Sequence, residues 1–181
     1  GSASILGLSV QSEIDTIKKQ VGYLAEHNPL YPDMYVKEFL TFIGKIHQIP
    51  ADRLKNRIKE VIELTGLTQE QTKKIHALSK GYQQRVGIAQ AILHDPKVLL
   101  LDEPTSGLDP NQMEEIRSLI KSLAKQKTIL FSSHILSEVE AICDRIILIN
   151  QGELKANCSL KEAQGHRGGL AAFFKENTTN A

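Results

Sequence analysis

Four aliphatic residues, Val98 to Leu101, run without polar alternation straight into two adjacent acids, Asp102 and Glu103. A short continuous apolar run of this kind fits a strand covered on both faces, as in a parallel sheet between helices. Open parallel α/β sheets bind ligands beyond the carboxyl ends of their strands, which is where the two acids fall. Asp102 suits Mg²⁺, a hard cation held by one or two carboxylates plus phosphate oxygens. Glu103 suits a general base that orients or deprotonates a water. Upstream, Ser79, Lys80 and Gly81 open a helix that carries Val86, Ala89, Ile92 and Leu93. A helix N-terminus offers unpaired N–H groups and the positive end of a dipole, and glycine lets the backbone come close, so this turn suits an anion; Ser79 taken alone is accounted for as an N-cap. Downstream, Asp109 caps a further helix that begins at Pro110, with Met113, Ile116, Ile120 and Leu123 turned inward.

Composition narrows the rest. At 181 residues the chain fits one domain with a sizeable core, and its net charge of +1 with mixed signs carries no basic field for nucleic acid. Cys143 and Cys158 have no metal-ligand spacing, and a reducing cytosol is their plain reading. No apolar run reaches the ~18 residues of a membrane helix, so a membrane role must come through a partner.

The order of these pieces resembles the nucleotide-binding subunit of ABC transporters. LSKGY, Leu78 to Tyr82, is similar to that family's LSGGQ signature, VLLLDEP to its Walker B strand with the catalytic glutamate, and SGLDP to its D-loop. Ser132 to His134 matches its switch histidine, and Val21 to Tyr31 its Q-loop region. The resemblance implies a three-layer α/β P-loop core with a helical subdomain. Residues 1–31 are expected to form a residual N-terminal segment with the Q-loop strand, 32–77 the helical subdomain, 78–160 the core from the signature to the switch histidine, and 161–181 a tail. It implies ATP and Mg²⁺, with Asp102 on the metal, Glu103 and His134 catalytic, and Ser79, Lys80 and Gly81 gripping the γ-phosphate held by the opposite subunit of a head-to-tail dimer. Asp109 then lies at the dimer interface, a role compatible with capping. Glu26 stands where most of the family has glutamine; a carboxylate there still reaches Mg²⁺ or water, but only accepts hydrogen bonds. Glutamate at this place resembles the export branch, and the surrounding stretches resemble gliding-motility exporters. Lys80 and Tyr82 depart from the family's second glycine and its glutamine.

No G-x-x-x-x-G-K-S/T phosphate loop occurs in these residues. The expectation is therefore a piece lacking the first lobe, with a gap beside the Thr128–Ser133 strand where the phosphate-loop strand normally lies. The intact protein is expected to hydrolyse ATP on the inner face of the cell membrane, docked on a membrane-spanning permease. Two alternatives remain: a non-catalytic interaction module that keeps the signature and docking faces, and a soluble ABC-type ATPase of translation or repair. Only fifty-two positions separate Glu26 from Leu78, which leaves no room for the coiled-coil arm of chromosome-maintenance relatives.

Elsewhere, the period predicts helices over Val36–His47, with Val36, Phe39, Leu40, Ile43 and Ile46 inward, and over Ala51–Leu64, with Leu54, Ile58, Val61 and Ile62 inward. Ile5–Val10 reads as an edge strand, Thr128–Ser133 as a buried strand and Ser137–Glu140 as a capping box. RIILINQGELKA reads as a strand, a glycine turn and a return strand. Gly165–Gly169 reads as a flexible link to a closing helix, and His27, His47, His76, His94 and His166 as surface residues.

Overall fold

The computed structural model describes residues 2–179. It opens not on a single edge strand but on a tight antiparallel hairpin, β1 (Ser4–Ile5) with β2 (Leu8–Ser9). The chain reverses at Leu6 and Gly7, whose φ values of 53° and 80° are the left-handed pair that a two-residue hairpin turn demands. A short helix, α1 (Ile14–Lys18), then leads to β3 (Val21–Leu24).

Two amphipathic helices follow, α2 (Val36–Ile46) and α3 (Ala51–Leu64), and the expected stripes are their buried faces. Ile46 is the exception at 58% exposed, because it is the last residue of α2 and the stripe runs out there. Gly66, with φ of 68°, ends α3, and the Leu67 amide returns to the Ile62 carbonyl at 2.9 Å. A single 3₁₀ turn (Ile75–Ala77) precedes α4 (Lys80–Ile92). Then come β4 (Val98–Leu101), α5 (Pro110–Ala124) and β5 (Thr128–Phe131).

Strands β3, β4 and β5 form a parallel sheet in that order, with Val21, Val98 and Thr128 in one register and Leu24, Leu101 and Phe131 in another. Helical crossovers supply the long connections that parallel pairing needs. Gly22, Leu99 and Ile129 share one face, and a Cβ on Gly22 would run into the backbone of Ala91, so α4 lies directly on this face. Leu24, Leu99, Leu101, Val86, Ile88, Ala89 and Ile92 are buried here. The opposite row is Tyr23, Leu100 and Leu130, and it is wetter than expected: Tyr23 is 57% and Leu130 55% exposed. Among the described residues Thr128–Phe131 pairs with β4 alone and is an edge strand, in keeping with the expected gap beside it, but it is not buried as its apolar composition suggested.

The chain divides into two compact units, Gly1–Ser132 and Ser133–Ala181. The second unit holds α6 (Leu136–Ile142), the antiparallel pair β6 (Arg145–Asn150) and β7 (Glu153–Ser159), α7 (Leu160–Gln164) and α8 (Gly169–Thr179). Gln151 and Gly152, with φ of 50° and 79°, make the expected hairpin turn. The capping box foreseen at Ser137 does not form, since Ser137 already lies inside α6. Instead Ser133 Oγ donates to Glu138 Oε2 at 2.7 Å and accepts from the Ile135 amide at 3.1 Å. A reciprocal box does form at Ser159 and Glu162, opening α7, which the sequence reading passed over. The closing helix begins at Gly169, and its expected last residues, Asn180 and Ala181, lie outside the described residues.

His94 is not a surface residue. Its Nε2 lies 3.1 Å from the Val21 carbonyl and its ring stacks on that of His47, with centroids 3.9 Å apart. His166 is half-buried, edge-on to Phe173 and 3.1 Å from the Glu176 carboxylate. Among the described residues, no helix is long and apolar enough to cross a membrane.

Candidate active site

Parallel pairing brings the carboxyl ends of β3, β4 and β5 to one edge, and the acids emerge there. The ladder runs one step past the strands: the Asp102 amide donates to the Leu24 carbonyl at 2.9 Å, and the Ser132 amide to the Leu101 carbonyl at 3.0 Å. Ser132 Oγ then donates to Asp102 Oδ1 at 2.6 Å and accepts from the Glu103 amide at 3.0 Å. One hydroxyl therefore fixes both the carboxylate and the backbone of its neighbour. Glu103 itself has φ of 44°, a left-handed backbone that costs a residue with a Cβ about 1–2 kcal/mol. Held this way, the chain turns sharply off the strand. Both acids are half-buried.

Asp102 fits a hard cation. Its Oδ1 is oriented by a neutral hydroxyl, not by an ammonium or guanidinium that would compete with a metal, and single carboxylates held so are what Mg²⁺ uses beside phosphate oxygens. Among the described residues no group of three or more histidine, cysteine or acidic side chains is placed to hold a metal ion. Glu26 follows β3 at the same edge, exposed, with a long 3.9 Å ion pair to His27.

The signature residues form a second cluster in the same unit. Ser79 caps α4, its Oγ accepting from the Tyr82 amide at 3.4 Å. Gly81 is buried against Gln112 of α5, and a Cβ there would come 2.8 Å from Gln112 Cδ. The Lys80 side chain lies against Gly107, whose φ of 68° and missing Cβ make room for the ammonium. Asp109 caps α5, with Oδ1 accepting from the Asn111 and Gln112 amides at 3.0 and 2.9 Å. Ser79, Lys80, Gly81 and Asp109 are thus brought together, and a groove lined by Ser79, Gly81, Tyr82, Arg85, Gln112, Glu115 and Ile116 opens at Ser79 and Gly81.

Three residues to which the sequence alone assigned no role of their own tie these clusters down. Gln84, buried, donates to the Pro104 carbonyl at 2.7 Å and so joins the signature helix to the turn after the acids. Arg85 reaches the Thr65 carbonyl at 2.9 Å and the Glu115 carboxylate at 2.6 Å, linking α3, α4 and α5. Ser132 is the third. Its signal was available: a hydroxyl residue directly after a strand, beside a strand that ends in acids.

His134 is exposed and lies in the second unit, just before α6. The structure thus gathers Glu26, Asp102 and Glu103 at the sheet edge and Ser79, Lys80, Gly81 and Asp109 at the α4–α5 turn, all within the first unit.

Comparison with known proteins places the chain in a family. Residues 1–106 match the ABC transporter family. An uncharacterised ABC transporter ATP-binding protein of Synechocystis is 43% identical over 97% of this chain and 50% of its own length. The bacitracin transport ATP-binding protein BcrA of Bacillus licheniformis is 42% identical over 85% of this chain and 50% of its own. This chain spans about half the length of the curated relatives it matches. Among solved structures, an ATP-binding subunit of an ABC transporter superposes with a TM-score of 0.81 at 27% identity, covering 96% of this chain and 75% of that one. CbiO1 of Clostridium perfringens, described as part of the ABC transporter complex cbiONQ, gives 0.79 at 28% identity, covering 88% and 66%.

Proposed function

Because this chain belongs to the ABC transporter family and carries the α/β fold of its ATP-binding subunits, we propose that it contributes the signature turn, the Walker B acids and the switch histidine of an ATPase that drives export through a membrane-spanning permease. Asp102 is the residue to hold Mg²⁺, which offsets charge on the transferring phosphoryl oxygens. Glu103 orients and deprotonates the attacking water, and Ser132 fixes the backbone from which its side chain projects. His134 donates to a phosphate oxygen. Glu26 reaches the metal or the water from the neighbouring strand end.

Ser79, Lys80, Gly81 and Asp109 act in trans, on nucleotide held by a second nucleotide-binding subunit in a head-to-tail dimer. Amide groups at the start of α4 and the Lys80 ammonium suit the γ-phosphate. The similarity to a bacitracin transport protein supports a transport role, for which export is the direction proposed here. A peripheral position on the inner face of the membrane follows from the permease partner.

The observation that carries this reading is the Asp102–Ser132–Glu103 chain of hydrogen bonds at the ends of parallel strands. The test is phosphate release by the protein in which these residues are joined to a phosphate-binding loop, compared with its Glu103→Gln version. Loss of a general base slows turnover ~10²–10⁴-fold while nucleotide still binds. Equal turnover in the two proteins would sink the role of Glu103.

A further inference from the structure

The end of α2, the start of β3, the turn after α4 and the turn before β5 meet at one ionisable cluster. His94 and His47 stack with rings 4° from parallel and centroids 3.9 Å apart. His94 Nε2 sits 3.1 Å from the Val21 carbonyl, which can only accept, so Nε2 carries the proton and Nδ1 is the bare nitrogen. That Nδ1 is buried and has no hydrogen-bond partner among the described residues. Four charged groups surround the pair. From α3, Arg57 caps the end of α4, donating to the Ile92 and Leu93 carbonyls at 2.6 and 2.9 Å, and pairs with Glu60 at 2.8 Å. From the turns, Lys127 pairs with Asp95 at 2.6 Å, and Asp95 stands 3.6 Å from Arg57.

Two cations and two carboxylates balance only while both imidazoles are neutral. A proton on either ring adds uncompensated positive charge next to Arg57 and Lys127. A proton on His94 Nδ1 also creates a buried donor with no acceptor, and one on His47 sets a cation against a stacked ring with no carboxylate of its own. From this geometry we propose that the His47–His94 stack is an acid-sensitive latch: neutral, it holds the end of the helical region on the sheet, and protonation releases α2 from the core.

The direction of the pH dependence follows from where the protons bind. Burial chiefly, then the neighbouring His47 and the Lys127 and Arg57 charges, hold His94 down at about 4, while burial also lowers His47. A released imidazole titrates at the ordinary 6.5. The released state therefore binds protons more readily between these values, so the latch is fully closed above about 6.5 and weakens as pH falls toward about 4. Asp95, held low mainly by its Lys127 hydrogen bond, stays ionised through this window and does not offset the effect.

The experiment is a long-range ¹H–¹⁵N NMR titration of the histidine rings of the 181-residue chain, with amide exchange at the end of α2 followed in parallel. At pH 7.5 His94 is expected as the Nε2–H tautomer, with a midpoint well below the ordinary 6.5. The His47, Gln48 and Ile49 amides, which bond to Ile43, Lys45 and Gly44, are expected to lose protection on the order of tenfold between pH 7.5 and 5 after correction for intrinsic rates. His94→Gln, which keeps a donor for the Val21 carbonyl but cannot titrate, is expected to abolish most of that loss. His47→Gln is expected to raise the His94 midpoint. A His94 midpoint near 6.5 in the unmodified chain overturns the proposal without any variant. So does equal acid loosening in His94→Gln, or exchange that speeds up uniformly along α2, α3 and α4. None of these results depends on nucleotide, so the ATPase reading stands or falls separately.

Discussion

At Glu103 the same backbone that aims the carboxylate also stores strain. A left-handed residue with a Cβ is tolerated when its surroundings over-determine it, and here Ser132 holds the amide from one side. Glu103→Gly is therefore expected to raise the unfolding free energy of this chain by about 1 kcal/mol while removing the base, read from urea denaturation. Ser132→Ala should do the reverse. Losing a hydroxyl that serves both a carboxylate and an amide is expected to cost about 1–2 kcal/mol. If both substitutions were neutral, the clamp would have no energetic reality. The strain was not legible in the sequence, and of the clamp only its hydroxyl was, as a serine directly after a strand. Asp102 and Glu103 stood out by composition and position, whereas a φ angle and a cross-strand hydroxyl depend on which strands pair, and pairing is not local.

Helices made the most readable elements, because their signals are local. Asp109 before Pro110 announced α5, and its side chain caps two amides. Asp109→Ala is expected to cost about 1 kcal/mol and Asp109→Asn only a few tenths, since the cap needs an oxygen and not a charge. A large loss in Asp109→Asn would instead point to an ionic role. Gly87 tests the packing of α4 in the same spirit. Its missing Cβ leaves the notch that seats Asn28, and a methyl there would also come 2.7 Å from Leu24 Cδ1. Alanine normally favours a helix by about 1 kcal/mol over glycine. Here Gly87→Ala is expected to destabilise by about 1–3 kcal/mol, because overpacking outweighs propensity. Where reading by pattern failed, a longer-range fact intervened. Thr128–Phe131 is apolar but not buried, His94 looked like a surface histidine but is stacked on His47, and Ser137 lies inside α6, whose N-cap is Ile135.

At the scale of the molecule, the sheet row of Tyr23 and Leu130 is more than half exposed, on a sheet whose edge is unpaired among the described residues. Such a surface favours association. Leu130→Lys is expected to lower concentration-dependent association of the chain in sedimentation velocity without lowering its thermal midpoint, because the side chain gains little from burial. A drop in the midpoint would show that Leu130 is packed after all. The parallel register has a further consequence, in time instead of energy. Val21 pairs with Val98, so β3 leaves the ribosome nearly eighty residues before its partner exists. At ~5–20 residues per second, that is on the order of 4–15 s of waiting. What emerges in the interval is α2 and α3, whose stripes are local and can close on each other within it. The helical insertion thus gives the nascent chain something to fold while β3 waits for β4 and the acids to arrive.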